Sequence, residues 1–334
     1  MPLITTLIPA YKKDFLGELF LGLCSQTLKD FRVVLSDDSP DAEITRLLAE
    51  GAWAAQIGPL DVQVVRGPRS ARLNHQHLLD LWAGRTPLVH LHLDDDVIYP
   101  DFYRAHVAAH ARQPLAASVS RRWLSGEDGR PAVDLAVPAF ALESEQRVVL
   151  LSPAQLFGTT VAVCENWLGE LSNMVLSAQG ARRYPVPPAK GLNYYGLLDV
   201  GTLLEAAADA PVAWLPDHLG VFRQHPGQTT HNIHSHGGRV AFLAWVAYAL
   251  AAWQQQRIGA PQAAQAIEIA TARVVQHFGE ADAVMNAYFE LLEHHSGGLD
   301  LLHERFGAWW RRLLASHPST DPQAYAARAE AVTA

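Results

Sequence analysis

Leu3-Ile4-Thr5-Thr6-Leu7-Ile8 is a short apolar and β-branched run, followed by Pro9-Ala10-Tyr11-Lys12-Lys13 and a helical pattern from about Asp14 to Thr27. The alternation then repeats. Phe31–Ser36 precedes a helical stretch from about Asp41 to Gln56, Asp61–Arg66 precedes one from about Ser70 to Ala83, and Pro87–Leu93 is a fourth apolar run. Strands alternating with helices of this length predict βαβ units and a largely parallel sheet with helices on both faces. Further along, a helix is expected over Asp101–Gln113 and mixed strands and loops over 114–190, with short helices near Trp167–Gln179 and Leu197–Ala208. From Gly237 onward apolar residues recur at helical spacing. The Gly237-Gly238 pair therefore marks the expected boundary between a first domain, 1–236, and an all-α extension, 237–334.

The chain has 334 residues, 49% of them hydrophobic and 18% charged, which supplies a buried core and argues against disorder. Lys and Arg number 26 against 34 Asp and Glu, a formal net charge of −8. A nucleic-acid partner would call for a basic face, so none is expected. Two cysteines, Cys24 and Cys164, make neither a disulfide framework nor a zinc-finger spacing, and a reducing, cytoplasmic setting is expected. Met1–Pro9 lacks the basic region and cleavage site of a signal peptide. The longest apolar run, Val240–Trp253, has 14 residues, short of the roughly 20 needed to span a bilayer.

In an open parallel sheet, ligands bind beyond the carboxyl ends of the strands. Two acidic clusters fall there: Asp37-Asp38 after the second run, and Asp94-Asp95-Asp96 after the fourth. Five acids on one rim repel one another unless a cation or polar ligand partners some of them. Mg²⁺ or Mn²⁺ suits carboxylate oxygens and shares its remaining positions with phosphate. The loop Pro9–Lys13 has no Gly-x-Gly-x-x-Gly, and no Walker loop or Gly-x-Ser-x-Gly elbow occurs anywhere. A phosphate holder made of a metal with Lys or Arg side chains is what remains.

Ile4-Thr5-Thr6-Leu7-Ile8-Pro9-Ala10-Tyr11, Ser25-Gln26-Thr27 and Val33-Val34-Leu35-Ser36-Asp37-Asp38-Ser39 together resemble the opening of family 2 glycosyltransferases of the GT-A fold. Ala71-Arg72-Leu73-Asn74, Leu91–Asp96, Leu198-Asp199 and Phe222–Thr230 continue the resemblance in family order, over roughly residues 3–230. It implies an α/β fold of GT-A type, a Rossmann-like mixed sheet flanked by helices. It also implies an inverting, metal-dependent transfer from a nucleotide-diphosphate sugar, with a UDP- or dTDP-sugar favoured. The acceptor would be a hydroxyl of a carbohydrate or other compound, such as a surface-glycan saccharide or a glycosylated metabolite.

Residue roles follow from the same resemblance. Pro9, Ala10 and Tyr11 would line the base and ribose pocket, with Asp38 accepting from the base and Asp37 beside it. Asp94-Asp95-Asp96 matches the Asp-x-Asp motif, with Asp96 the ligand of Mn²⁺ or Mg²⁺ and Asp94 toward the ribose or a coordinated water. Arg69, Arg72 and Asn74 would lie near the nucleotide. Arg223 and His225 fall in a stretch that folds over the diphosphate in relatives, Arg223 toward phosphate and His225 toward metal or phosphate. Asp199 would be the general base, although the Glu that usually precedes it is Leu198 here; Asp217 is the reserve. Trp167 and Glu170 sit where relatives build the acceptor pocket.

Other readings stay open. A sugar nucleotidyltransferase of related fold would need a Gly-rich basic loop after the first strand, which Pro9–Lys13 is not. A non-catalytic nucleotide- or carbohydrate-binding scaffold is the third reading. His106 with His110, and His90 with His92, have spacings that allow a metal, but helix-surface placement and packing explain them as well. The C-terminal helices are read as packing on the catalytic domain. A homodimer interface, or a peripheral contact with the inner membrane face through Trp309-Trp310-Arg311-Arg312, is the alternative.

Overall fold

The computed structural model describes residues 2–144, 147–184, 196–228, 232–278, 282–293 and 298–321, apart from the side chain of Arg72. By internal contacts they fall into two units. One comprises residues 1–151, 167–184 and 205–225; the other comprises 152–166, 185–204 and 226–334.

The first unit begins with β1 (Ile4–Ala10), α1 (Leu16–Cys24), β2 (Phe31–Asp37), α2 (Glu43–Ala49), α3 (Ala54–Ile57), β3 (Val62–Arg66), α4 (Ala71–Trp82) and β4 (Leu88–Leu91). It continues with β5 (Val97–Ile98), α5 (Phe102–Arg112), β6 (Ala117–Ser125), β7 (Pro131–Asp134), α6 (Ala139–Leu142) and β8 (Val149–Leu151). After the second unit's α7 (Pro153–Thr159) come β9 (Met174–Ser177) and α8 (Ala178–Ala181). Then α9 (Leu198–Ala206) leads to β10 (Val212–Arg223).

These strands make one sheet in the order β3-β2-β1-β4-β9-β6-β10-β5, with β7 beside β6 and β8 beside β10. β1 and β2 read as near-continuous apolar runs because both their faces are covered. Ile4, Ile8, Leu19, Phe20, Val33 and Leu35 form the centre of that core. β3 is the half-exposed edge. Parallel pairing sets Ala10 opposite Asp37 and Asp37 opposite Arg66, so the first three strands end level.

The sheet is mixed, as the expected fold class requires, since β9 runs antiparallel to both β4 and β6, and β5 and β8 run antiparallel to β10. Two expectations change here. β9 falls where a short helix was expected around Trp167–Gln179; a brief, wholly apolar run such as Met174-Val175-Leu176 has no period that separates strand from helix. Likewise the single helix expected over Asp41–Gln56 is two pieces. Gly51 at φ +88° and Trp53 at φ +56° break it.

The histidine pairs are internal. His90 bonds Tyr103 Oη (3.1 Å) through Nδ1 and the Ser172 carbonyl (3.0 Å) through Nε2, and stacks on His92 with ring centroids 5.1 Å apart. His106 and His110 share Ser118 Oγ at 2.7 and 3.1 Å. Both ring nitrogens of His92, and Nε2 of His106, are buried without a hydrogen-bond partner.

In the second unit α10 (His236–Gln254), α11 (Ala260–Phe278), α12 (Ala283–Glu293) and α13 (Gly298–Ala315) follow one another. α10 is buried on nearly every side from Val240 to Ala252 and draws its cover partly from residues that precede it in the chain. Tyr248 Oη donates to the Leu197 carbonyl, Cys164 Sγ lies 3.2 Å from the Ala266 carbonyl, and Arg273 pairs with Glu165. This unit therefore reaches back before Gly237, the expected boundary. Among the described residues no helix is long and apolar enough to cross a membrane.

Candidate active site

Strand order reverses at β1: the chain passes from β1 outward to β2 and β3, then returns to place β4 on the other side. Such a reversal opens a crevice beyond the carboxyl ends of the two strands that flank it. The loops there are Tyr11-Lys12-Lys13 and Asp94-Asp95-Asp96, and the three acids do three different things.

Asp94 Oδ2 accepts from the backbone N–H groups of Tyr11 and Lys12, each at 2.7 Å. It thereby ties the loop after β1 to the loop after β4. Burial, with the charge of Asp95 beside it, raises its carboxyl above the ordinary range against those two bonds. Asp95 faces a cation instead. Its Oδ2 lies 2.9 Å from Lys12 Nζ and 3.0 Å from His225 Nε2, and these two nitrogens are 3.2 Å apart. Burial alone would raise Asp95; hydrogen bonds from Lys12 and His225 outweigh it and hold its carboxyl low. Nε2 of His225 cannot donate to Asp95 and accept from Lys12 in one tautomer, so only one of those bonds forms at a time.

Asp96 turns inward. Its Oδ1 accepts from the Arg223 N–H at 3.0 Å, while Oδ2 is buried without a hydrogen-bond partner. Burial and then the neighbouring Asp95 push its carboxyl well above the ordinary range. It borders a cavity of about 10 Å³, lined also by Arg122, Glu170, Ser172 and Phe222, space for about one water.

Arg223 is 1% exposed and bound to protein groups. Its Nε donates to the Asp95 carbonyl at 2.8 Å, other donors reach the Glu127 carbonyl and Glu18, and its plane lies 4.5 Å over the Phe15 ring. Phe15 also packs on His225, with centroids 4.9 Å apart. Glu18 and Phe15 had no signal in the sequence that linked them to the site. Lys12 did: it is the first basic side chain after β1, at the reversal point.

At the end of β2 the paired acids also divide. Asp37 is spent on neighbouring protein groups, accepting from Thr45 N (2.8 Å) and Thr45 Oγ1 (2.6 Å) in α2 and from Ser39 N (3.0 Å), with Arg66 Nη1 of β3 at 3.3 Å. Those bonds override the effect of burial and hold it below the ordinary carboxylate range. Asp38 accepts from Arg69 N, and burial raises its carboxyl. A Cβ on Gly67 would fall 2.6 Å from Asp38 Oδ1, so this close approach requires glycine.

The remaining expected site residues are scattered. Pro9 and Ala10 close β1, and the Tyr11 side chain is 59% exposed at the rim. Asn74 is buried in α4 with Oδ1 unpartnered; the Arg72 side chain lies outside the described residues. Trp167 is core, edge-on to Trp214 at 5.0 Å, and Glu170 forms a two-bond pair with Arg122 at 2.6 and 2.9 Å. Neither is placed as an open acceptor wall. Asp199 occupies the first turn of α9, in the second unit. Asp217 is exposed on β10.

Two of the site's side chains fit a divalent cation. Among the described residues no three His, Cys, Asp or Glu side chains converge as metal donors. However, Mg²⁺-type ions can be held by one or two carboxylates beside substrate phosphate, and a neutral imidazole can add a ligand to a transition-metal ion such as Mn²⁺. Asp95 Oδ2 and His225 Nε2 are such a pair, while Asp94 is committed to backbone N–H groups and Asp96 is turned away.

No protein-family model matches the chain, and no curated protein matches it in sequence. Solved structures do match in fold. The chain superposes on S. aureus TarS 1–349 with a TM-score of 0.57 at 13% identity, over 100% of this chain and 91% of that one. The complex of TarS 1–349 with UDP gives 0.56 at 14% identity, with the same coverage. The complex with UDP-GlcNAc gives 0.53 at 14%, over 99% and 84%. The mixed α/β sheet flanked by helices, with further helices at the C-terminal end, is the fold class expected from the sequence.

Proposed function

We propose that the chain is a glycosyltransferase that takes a sugar from a nucleotide-diphosphate donor, a UDP- or dTDP-sugar, and transfers it to an acceptor hydroxyl of a saccharide with inversion. One observation carries this reading. The crevice where the strand order reverses holds an anchored acid, Asp94, and an acid–imidazole pair, Asp95 with His225, beside the exposed ring of Tyr11. That is a site for a base, a ribose and a diphosphate with its cation. The UDP and UDP-GlcNAc complexes of TarS, which shares the fold, add support.

Each residue then has a task. Tyr11 offers a ring face to the base, and Asp38, at the neighbouring strand end, accepts the imide N–H of a uracil or thymine. Asp94 holds the Tyr11–Lys12 backbone in place for that contact. Asp95 and His225 would hold Mn²⁺ or Mg²⁺, which when bound neutralises charge on the departing nucleoside diphosphate. Arg223 acts through others, fixing the Asp95 carbonyl and, by its N–H, Asp96. This moves the metal role from Asp96 to Asp95 and the role of Arg223 from diphosphate ligand to positioning residue. The general-base role stays with Asp199 on the ground of the family resemblance: it would take the proton from the acceptor hydroxyl as that oxygen attacks the anomeric carbon and the diphosphate leaves.

Thermal shift with UDP, dTDP, GDP and CDP, each with and without Mn²⁺, tests donor binding. Metal-dependent stabilisation by a uridine or thymidine diphosphate is expected; no response to any of the four sinks the proposal. Asp199→Asn should then lower transfer by about a thousandfold or more while nucleotide binding is unchanged. Retained turnover removes Asp199 as the base.

A further inference from the structure

We propose that Lys12 is a tethered cation that competes with a divalent ion for the Asp95–His225 pair and so sets how tightly that ion binds there. The inference rests on reading the crevice as a nucleotide-sugar site, and it names a residue that this reading had not used.

The three polar atoms come from three segments: the loop after β1, the loop after β4, and the end of β10. They close a triangle of 2.9, 3.0 and 3.2 Å. Two cis ligands of an octahedral ion with bonds of about 2.1 Å stand about 3 Å apart. Asp95 Oδ2 and His225 Nε2 have that separation, and the ammonium contacts both of the atoms that such an ion would take.

Lys12 is held in place by its main chain. Its N–H and that of Tyr11 are both bound by Asp94. The adjoining Lys13 is turned to Glu43, with Nζ 2.6 Å from Oε1. The side chain of Lys12 is a quarter exposed, whereas that of Asp95 is 9% exposed. A compact charge on a flexible four-carbon stem, leaning on a fixed acid, can leave its partner without moving the backbone.

A divalent ion must therefore displace the ammonium to reach both donors. The anion that arrives with the ion, a diphosphate, is the natural new partner for the displaced charge. Metal and nucleotide binding become coupled through one side chain, and by linkage the coupling is reciprocal. Removing the positive charge should make the site hospitable to the metal alone, because a unit charge about 3 Å away no longer opposes it.

The test is a titration of Mn²⁺, followed by the electron paramagnetic resonance signal of the free ion. It uses the full chain and the variants Lys12→Met, Lys12→Gln and Asp95→Asn, with and without UDP. Both Lys12 variants should bind Mn²⁺ without nucleotide about tenfold or more tightly than the unaltered protein. UDP should tighten Mn²⁺ binding more in the unaltered protein than in either variant, and Asp95→Asn should lose the ion. Two neutral variants are used so that one misfolded protein, seen by its melting curve, does not decide the result. Unchanged or weaker Mn²⁺ affinity in the folded Lys12 variants overturns the proposal, as does no measurable binding in them. The two claims separate cleanly. Tighter Mn²⁺ binding with no response to any nucleotide leaves Lys12 as the cation and removes the donor site. UDP binding with unchanged Mn²⁺ affinity does the reverse.

Discussion

Asp95→Asn is expected to lower sugar transfer by about a thousandfold and to abolish metal-dependent nucleotide binding, while Asp96→Asn costs less than about tenfold. The contrast follows from what each carboxylate does. Asp95 is the acid that faces Lys12 and His225, and an amide there removes the charge that would hold a cation against the diphosphate. A metal's contribution to stabilising a leaving group is several kcal/mol, and about 4 kcal/mol is about a thousandfold in rate. Asp96 is buried, and burial already favours its neutral form. An amide of the same shape keeps the acceptor for the Arg223 N–H. Steady-state transfer together with calorimetry of UDP with Mn²⁺ reads both effects. Loss of binding in Asp96→Asn with Asp95→Asn intact would return the metal role to Asp96.

Acid should destabilise the first unit from about pH 6.5 downward, above the ordinary carboxylate range. His90, His92 and His106 are fully buried. Desolvation pushes His90 down to about 3, and it lowers His92 and His106 well below 6.5, with His90 adding charge repulsion to both. These rings are neutral in the folded protein and titrate near 6.5 when unfolded. Their neutral burial therefore costs nothing above about pH 6.5, and stability falls as pH drops below it because the unfolded chain binds protons that the folded chain refuses. At pH 5 His90 alone removes about 2 kcal/mol, at 1.36 kcal/mol for each pH unit below 6.5. His92 and His106 act in the same direction. Against a typical stability of about 5–15 kcal/mol the joint loss is large. Urea unfolding at pH 7.5 and pH 5.0 measures it; equal midpoints would show that these rings are not buried neutral.

The elements legible in the sequence were those whose environment is uniform along the chain. β1 and β2 are covered on both faces and read as unbroken apolar runs, and α4 and α5 carry enough turns for their period to show. β9, with four residues, and β5, with two, owe their form to their sheet neighbours, which no local pattern encodes. The site divides in the same way. That acids collect at the crevice was visible in Asp37-Asp38 and Asp94-Asp95-Asp96; which acid faces which partner depends on the turn at Asp94-Asp95 and was not. Arg223 and Glu18 meet across 205 positions of sequence, and nothing local to either marks the other. Trp167, expected at an acceptor wall from the resemblance, packs in the core against Trp214, a contact 47 positions away that no local pattern announces.

The central claim, that the crevice between β1 and β4 binds and activates a nucleotide-sugar, is tested most directly by donor hydrolysis. The protein is incubated with Mn²⁺ and, separately, with UDP-, dTDP-, GDP- and CDP-linked sugars, and the free nucleoside diphosphate is measured. Slow release from a uridine or thymidine donor, absent in Asp95→Asn, is the expected result. No release from any donor, or release that persists in Asp95→Asn, would contradict the account.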